Sequence, residues 1–268
     1  MMLENQRRLN EILENLTMET LPRSLILLGD RGCGKRTFVN EISNKLSMDV
    51  VDISENLTLE TIYFANSGVK PTIYTINASD ITIKEENTIL KFLEEPLDNS
   101  YIVILCENKS MLIETVLNRC VVWSFETYGR MFLEKFIKDE ENKELILDVC
   151  NTPGQVMELD TVNLKEMFEL ADKMFNRIGF ASMPNALSIA DKFAFKNEKG
   201  KMNIETFSKI LLRKITDLVR NETDYKYYHA YVLVDELVNS FNNKYANKRY
   251  LFEDFLIRLR MIFRIDGE

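Results

Sequence analysis

The stretch Gly29-Asp-Arg-Gly32-Cys-Gly34-Lys35-Arg36-Thr37 combines three glycines with a lysine at a spacing suited to holding phosphate. Glycines let backbone N–H groups turn inward around phosphate oxygens, a following helix N-terminus adds partial positive charge, and Lys35 is placed to reach the terminal phosphates. The apolar run Ser24 to Leu28 precedes the loop and a helical pattern, Phe38 to Leu46, follows it. This is the strand, loop and helix context that a Walker A motif requires. One position departs from the pattern. The residue after the lysine should carry a hydroxyl for Mg²⁺, and here it is Arg36. Thr37 comes one place later, and one step along a helix turns a side chain by about 100°, away from the metal. Gly29, Gly32, Gly34, Lys35, Arg36 and Thr37 are therefore candidate phosphate-binding residues of a cradle in which ATP or ADP binds weakly or not at all.

A second acidic motif should lie at the end of a neighbouring buried strand, with an Asp for Mg²⁺ and a Glu to polarise the attacking water. The strand pattern Thr72 to Ile76 instead continues Asn77-Ala78-Ser79-Asp80, so neither carboxylate is present. Loss of a positioned general base costs about 10² to 10⁴ in rate, and loss of the metal ligand compounds it. Asp80, three residues beyond the strand, reads as a loop cap rather than a substitute. Hydrolysis by this chain alone is not expected. No metal site is expected either: Cys33, Cys106, Cys120 and Cys150 form no CxxC pair and His229 is the single histidine, which favours buried reduced thiols.

The elements that position these residues follow from periodicity. A helical spacing over residues 5–18 ends at Pro22. Short β-rich runs follow at Ser24 to Leu28, Val50 to Ile53, Thr72 to Ile76, Tyr101 to Cys106 and Val121 to Phe125, separated by segments with helical character. Five such strands predict an α/β P-loop NTPase-like domain with a mostly parallel sheet over residues 1–126. Beyond Phe125 the pattern predicts helices only: 131–138, 143–150, 164–178, 185–195, 204–220, 225–242 and 249–263. Breakers at Thr152-Pro-Gly154 and Gly179 to Pro184 divide them into a small helical lid, 127–180, and an all-α C-terminal domain, 181–268. Tyr227, Tyr231, Val234, Val238, Phe241 and Tyr245 form an apolar stripe, read as core or subunit interface.

With 46% hydrophobic and 28% charged residues, the 268-residue chain has the composition of a folded protein. Its longest apolar runs fall far short of the roughly 20 residues of a membrane span, so no membrane partner and a cytoplasmic location are expected. A net charge of −8 argues against a nucleic-acid footprint over the whole surface but permits a local basic face.

Two further segments carry a resemblance. Asn87-Thr-Ile-Leu-Lys-Phe-Leu-Glu-Glu-Pro96 is similar to the LLK-x-LEEP helix end of bacterial and phage clamp-loader subunits of the AAA+ superfamily, and Val116-Leu-Asn-Arg-Cys120 resembles their Ser-Arg-Cys motif, with Asn118 in place of serine. The Asn77-Ala78 pair and Gln155, in the lid stretch Thr152-Pro-Gly-Gln155, resemble the delta-prime type, which keeps the fold with degenerate nucleotide motifs. No four-cysteine insertion follows Leu46.

The resemblance implies a helical collar for the C-terminal domain and a role for Arg119 as an arginine finger acting in trans on a neighbouring subunit's nucleotide; the competing reading has Arg119 merely tying a helix end to the next strand. It also implies partners: clamp-loader ATPase subunits in a hetero-oligomer of the DNA polymerase III kind, a sliding clamp, and primer-template DNA through the assembly. Lys84, Lys91 and Lys109 are conceivable phosphate contacts but read as solvated lysines. The expectation is a non-hydrolysing structural subunit. An active AAA+ motor using Arg36 or Asp80 as unorthodox ligands and a stand-alone interaction module on an inactive P-loop fold are the alternatives.

Overall fold

The computed structural model describes residues 4–54, 70–159, 163–195, 202–241, 243 and 246–264. By packing, the chain divides into two units, Met1–Phe136 with Asn151–Glu158, and Ile137–Cys150 with Leu159–Glu268. The residues expected as a separate lid are thus distributed: 127–136 and 151–158 pack in the first unit, the remainder in the second.

The first unit is built on a parallel sheet of β1 (Ser24–Leu28), β2 (Asp49–Asp52), β3 (Thr72–Asn77), β4 (Ser100–Cys106) and β5 (Val121–Ser124), in the order β2-β3-β4-β1-β5. All five strands expected from the sequence form. β1 lies between β4 and β5, in register Leu28 with Cys106 and Leu28 with Ser124. Central strands buried on both faces need apolar residues at successive positions, and β4 is buried throughout. Alternation then sorts these residues into two cores. Leu25, Leu27, Tyr101, Val103 and Leu105 pack with Leu9 of α1 (Arg7–Asn15) and with Phe38, Val39 and Ile42 of α2 (Lys35–Leu46). Ile26, Tyr74, Ile76, Ile102 and Ile104 pack with Ile89 and Phe92 of α3 (Ile83–Glu94) and Val116 of α4 (Glu114–Leu117).

Helix α3 begins at a capping box in which Thr82 and Glu85 satisfy each other's backbone N–H groups. It stops two residues before Pro96, which disfavours helical backbone in the residue preceding it. The expected helix at 131–138 is shorter: α5 (Arg130–Leu133) passes into a single 3₁₀ turn, Glu134–Phe136. Thr152-Pro-Gly154, expected as a breaker, instead opens α7 (Pro153–Glu158), because proline in the first helical turn gives up an N–H that would have had no partner.

In the second unit lie α6 (Lys143–Val149), α8 (Leu164–Arg177), α9 (Met183–Leu187), α10 (Ile204–Asn221), α11 (Tyr225–Ser240) and α12 (Lys248–Phe263). The expected all-α character is corrected at one place. The helix predicted over 185–195 ends at Leu187, a 3₁₀ turn follows, and Phe193–Ala194 pairs in parallel with Met202–Asn203 as β6 and β7. The cause is Phe193, fully buried among Phe207 and Phe252 with ring centroids 4.6 and 5.3 Å away. The buried face of α11 is Ala230, Leu233, Val234 and Leu237; of the predicted stripe Val234 and Phe241 are buried, Tyr227, Tyr231 and Val238 lie half-buried beside them, and Tyr245 lies outside the described residues. Among the described residues no helix is long and apolar enough to cross a membrane.

Candidate functional site

The glycine-rich loop leaves the end of β1 and enters α2 with Gly32 at φ 78° and Gly34 at φ 103°, left-handed backbone that glycine adopts without strain. Gly29 answers a different need: a Cβ there would lie 2.8 Å from Cβ of Phe125 and 2.9 Å from Sγ of Cys33. The loop's carbonyls are engaged by groups of the same unit. Lys35 Nζ donates to the Gly29 carbonyl and, at 3.1 Å, to that of Asp30. Tyr128 donates its hydroxyl to the Cys33 carbonyl at 2.6 Å, and burial lifts that phenol to about 12.

The turn opening α7 is seated on the same loop. Gly154 N–H donates to the Gly32 carbonyl at 3.0 Å, and Thr152 Oγ1 donates to the Arg31 carbonyl at 2.7 Å. The approach is backbone to backbone, since a Cβ on Gly154 would lie 2.5 Å from Gly32 Cα. Arg31 also pairs with Glu158 at 3.1 Å. Cys33 is buried beneath the loop; burial pushes its thiol up to about 11, and the charge of Lys35 offsets that only in part.

Arg36, in the place of the metal-binding hydroxyl, turns its guanidinium to Asp52 at the end of β2, 2.8 Å away. Asp52 Oδ1 accepts from Ser54 N–H and Oγ at 3.0 and 2.6 Å, and Ser54 Oγ accepts from the Asn77 N–H at 2.9 Å. Burial works to raise the Asp52 pKa, but the Ser54 donors and Arg36 outweigh it and hold the carboxyl below its ordinary value. This chain of contacts links the start of α2 to the ends of β2 and β3, the strand ends that surround the metal position in an active site. Asn77 donates its side-chain amide to Asp80 at 2.9 Å, and the Ala78 methyl lies in the core. Asp80 is exposed and accepts from Asn77 and from Ser79 Oγ at 2.8 Å, so it serves the loop. Thr37 is half-buried in the first turn of α2. The positions that would ligate Mg²⁺ thus carry a guanidinium, an amide and a methyl group, which do not fit that ion. Among the described residues no cluster of three or more His, Cys, Asp or Glu could hold a metal.

Arg119 lies just past the C-terminal end of α4, on the other face of the sheet from α2. Its Nη1 donates to the Thr115 carbonyl at 2.9 Å and its Nη2 meets Glu94 Oε1, in the last turn of α3, at 2.8 Å. The side chain stays 39% exposed. Of its five N–H donors these contacts use two. Lys84, Lys91 and Lys109 are exposed. Sequence reasoning missed Glu94, Asp52, Thr152 and Gly154 as parts of these sites. Only Glu94 left a usable signal, the four-residue spacing of Glu86, Leu90 and Glu94 along one helix face.

A parallel sheet, a glycine-rich loop between β1 and α2, and helices after the sheet define a P-loop NTPase-type α/β domain. Over part of its length the chain is similar to delta-type subunits of DNA polymerase III. The family described as DNA polymerase III, delta subunit, matches residues 50–129, a span that includes both α3 and Arg119. DNA polymerase III subunit delta′ of Haemophilus influenzae is 25% identical over 165 residues, 56% of this chain and 50% of that protein. The subunit delta′ of Bacillus subtilis is 25% identical over 103 residues, 36% of this chain and 31% of that protein. The chain therefore matches half or less of the length of these relatives. Among solved structures, a DNA polymerase III gamma subunit-related protein from Thermotoga maritima is 16% identical with a TM-score of 0.45, covering 97% of this chain and 100% of that one. The RuvB Holliday junction branch migration motor of the same organism is 15% identical with a TM-score of 0.45, covering 92% and 86%. At those scores neither likeness adds to the assignment.

Proposed function

We propose that this chain is a non-hydrolysing structural subunit of a DNA polymerase III-type clamp loader, that its own phosphate cradle is idle, and that Arg119 acts at the nucleotide of a neighbouring ATPase subunit. The observation that carries the proposal is the contrast between two places in one domain. At the cradle, Lys35 is engaged by the loop's own carbonyls, Arg36 by Asp52, and Gly32 by Gly154. At Arg119 a guanidinium is oriented by two contacts yet remains partly exposed. A guanidinium delivered to a transferring phosphoryl group neutralises developing charge and contributes about 10³ to 10⁵ in kcat in other NTPases.

On this reading the subunit works in a hetero-oligomer with ATPase subunits, a sliding clamp and primer-template DNA, in the cytoplasm, with a nucleotide-fold domain over 1–126 and a collar over 181–268, the lid stretch 127–180 being shared between the two packing units. The motor-ATPase alternative loses support because both proposed substitute ligands, Arg36 and Asp80, have partners elsewhere. The test has two arms: ATP turnover by the purified chain, expected to be absent, and DNA-stimulated turnover of the assembly reconstituted with its motor subunits, expected to be abolished by Arg119→Ala. Turnover by the chain alone that disappears in Lys35→Ala would overturn the idle cradle, and full activity of the Arg119→Ala assembly would remove the role in trans.

A further inference from the structure

Helix α3 does more than pack against the sheet. Glu86, Leu90 and Glu94 fall four residues apart on one of its faces, and that face runs along the segment ending at Arg119. At one end Glu86, 1% exposed, accepts the Ile113 N–H at 2.7 Å, and Ile113 is the residue from which α4 starts. In the middle Leu90 packs in the same core as Val116 and Leu117. At the other end Glu94 meets Arg119 at 2.8 Å. Two carboxylates two helical turns apart therefore pin both ends of the seven-residue segment that presents the guanidinium.

We propose that Glu94 is the positioning residue for Arg119, with Glu86 fixing the start of the same segment, so that the guanidinium is held in its working direction before a neighbouring subunit arrives. The proposal rests on the reading of Arg119 as an arginine donated in trans. An arginine carries several rotatable bonds, and ordering it only in the transition state would cost part of the stabilisation it provides. The Thr115 carbonyl and the Glu94 carboxylate hold two nitrogens of the planar group and so fix its plane. Placement matters because a misplacement of about 1 Å can cost on the order of 10²-fold in rate. Both side chains are partly exposed, so removing Glu94 should leave the fold intact.

The experiment measures DNA-stimulated ATP hydrolysis by the reconstituted assembly containing Glu94→Ala, Glu94→Gln, Arg119→Ala or the Glu94→Ala/Arg119→Ala double variant, with thermal unfolding of each purified chain as a folding control. The expected result is a kcat about tenfold lower for Glu94→Ala, less than the roughly 10³-fold loss for Arg119→Ala, with little change in KM. Glu94→Gln, which keeps an oxygen acceptor, should recover part of the rate. In the Arg119→Ala background Glu94→Ala should cost nothing further, because it acts through the missing group. Unchanged or raised kcat in Glu94→Ala, beside a damaging Arg119→Ala, would overturn the positioning role alone. Full activity in Arg119→Ala would instead overturn the reading on which it rests.

Discussion

Gly154→Ala gives the most direct check that the α7 turn is seated on the glycine-rich loop. The added Cβ would lie 2.5 Å from Gly32 Cα and 2.9 Å from the Gly32 carbonyl oxygen. Both obstacles are backbone, so no side-chain rotation relieves the clash, and the two segments must part by most of an ångström. Parting them weakens the hydrogen bond from Gly154 to Gly32 and that from Thr152 to Arg31. Net contributions of about 0.5 to 1.5 kcal/mol per bond give a loss of roughly 1 to 3 kcal/mol. Alanine's advantage over glycine inside a helix, about 1 kcal/mol, opposes this and is smaller at a first-turn position. The balance is a destabilisation of about 1 to 2 kcal/mol, which at roughly 2 to 4 °C per kcal/mol lowers the melting temperature by about 2 to 8 °C. Differential scanning fluorimetry of Gly154→Ala beside Met157→Ala, an exposed control on the same helix, reads the difference. A Gly154→Ala protein as stable as the control, or more stable, would refute the seating of the turn.

Three further outcomes follow from the same geometry. Glu86→Ala should destabilise the chain by about 1 to 3 kcal/mol in urea denaturation, since it strands the part-buried Ile113 N–H, whereas Glu86→Gln should retain much of that stability. Asp52 has a folded pKa below its ordinary value, so its contribution is fully present above the unfolded value of 3.8 and is lost as pH falls through the lower folded value. The wild type should therefore lose stability relative to Asp52→Asn only below about pH 4, and by no more than about 1 kcal/mol because solvent screens the pair. Cys33, held at about 11 by burial, should resist alkylation by iodoacetamide at pH 8 until the protein unfolds; rapid labelling of Cys33 in the native chain would contradict its place beneath the loop.

Much of the first unit was legible because its signals are local. Five β-rich runs and a glycine-rich loop between a strand and a helix are consequences of short-range patterning, and β1 to β5 formed within a residue or two of where that patterning puts them. Legibility failed where distant segments decide. Pro153 reads as a breaker in isolation, yet the backbone at 152–154 meets Gly32 more than a hundred residues away, and the proline falls where a helix tolerates it. Phe193 carries a helical spacing but leaves the helix for an aromatic core supplied by Phe207 and Phe252. At the site, the absence of carboxylates at Asn77 and Ala78 could be read directly, because it concerns residue identity. What Arg36 does instead could not, since Asp52 is an ordinary acidic residue until the sheet brings the end of β2 beside the start of α2. Glu94 likewise becomes a partner of Arg119 only through the packing of α3 on α4.

The central claim, that this domain's useful group is Arg119 acting on another subunit rather than the cradle around Lys35, is tested most directly by one comparison. DNA-stimulated ATP hydrolysis is measured for the reconstituted assembly carrying either Arg119→Ala or Lys35→Ala in this chain alone. The account predicts loss of about 10³-fold or more with Arg119→Ala and an essentially unchanged rate with Lys35→Ala. The reverse pattern, activity surviving without Arg119 and failing without Lys35, would contradict it.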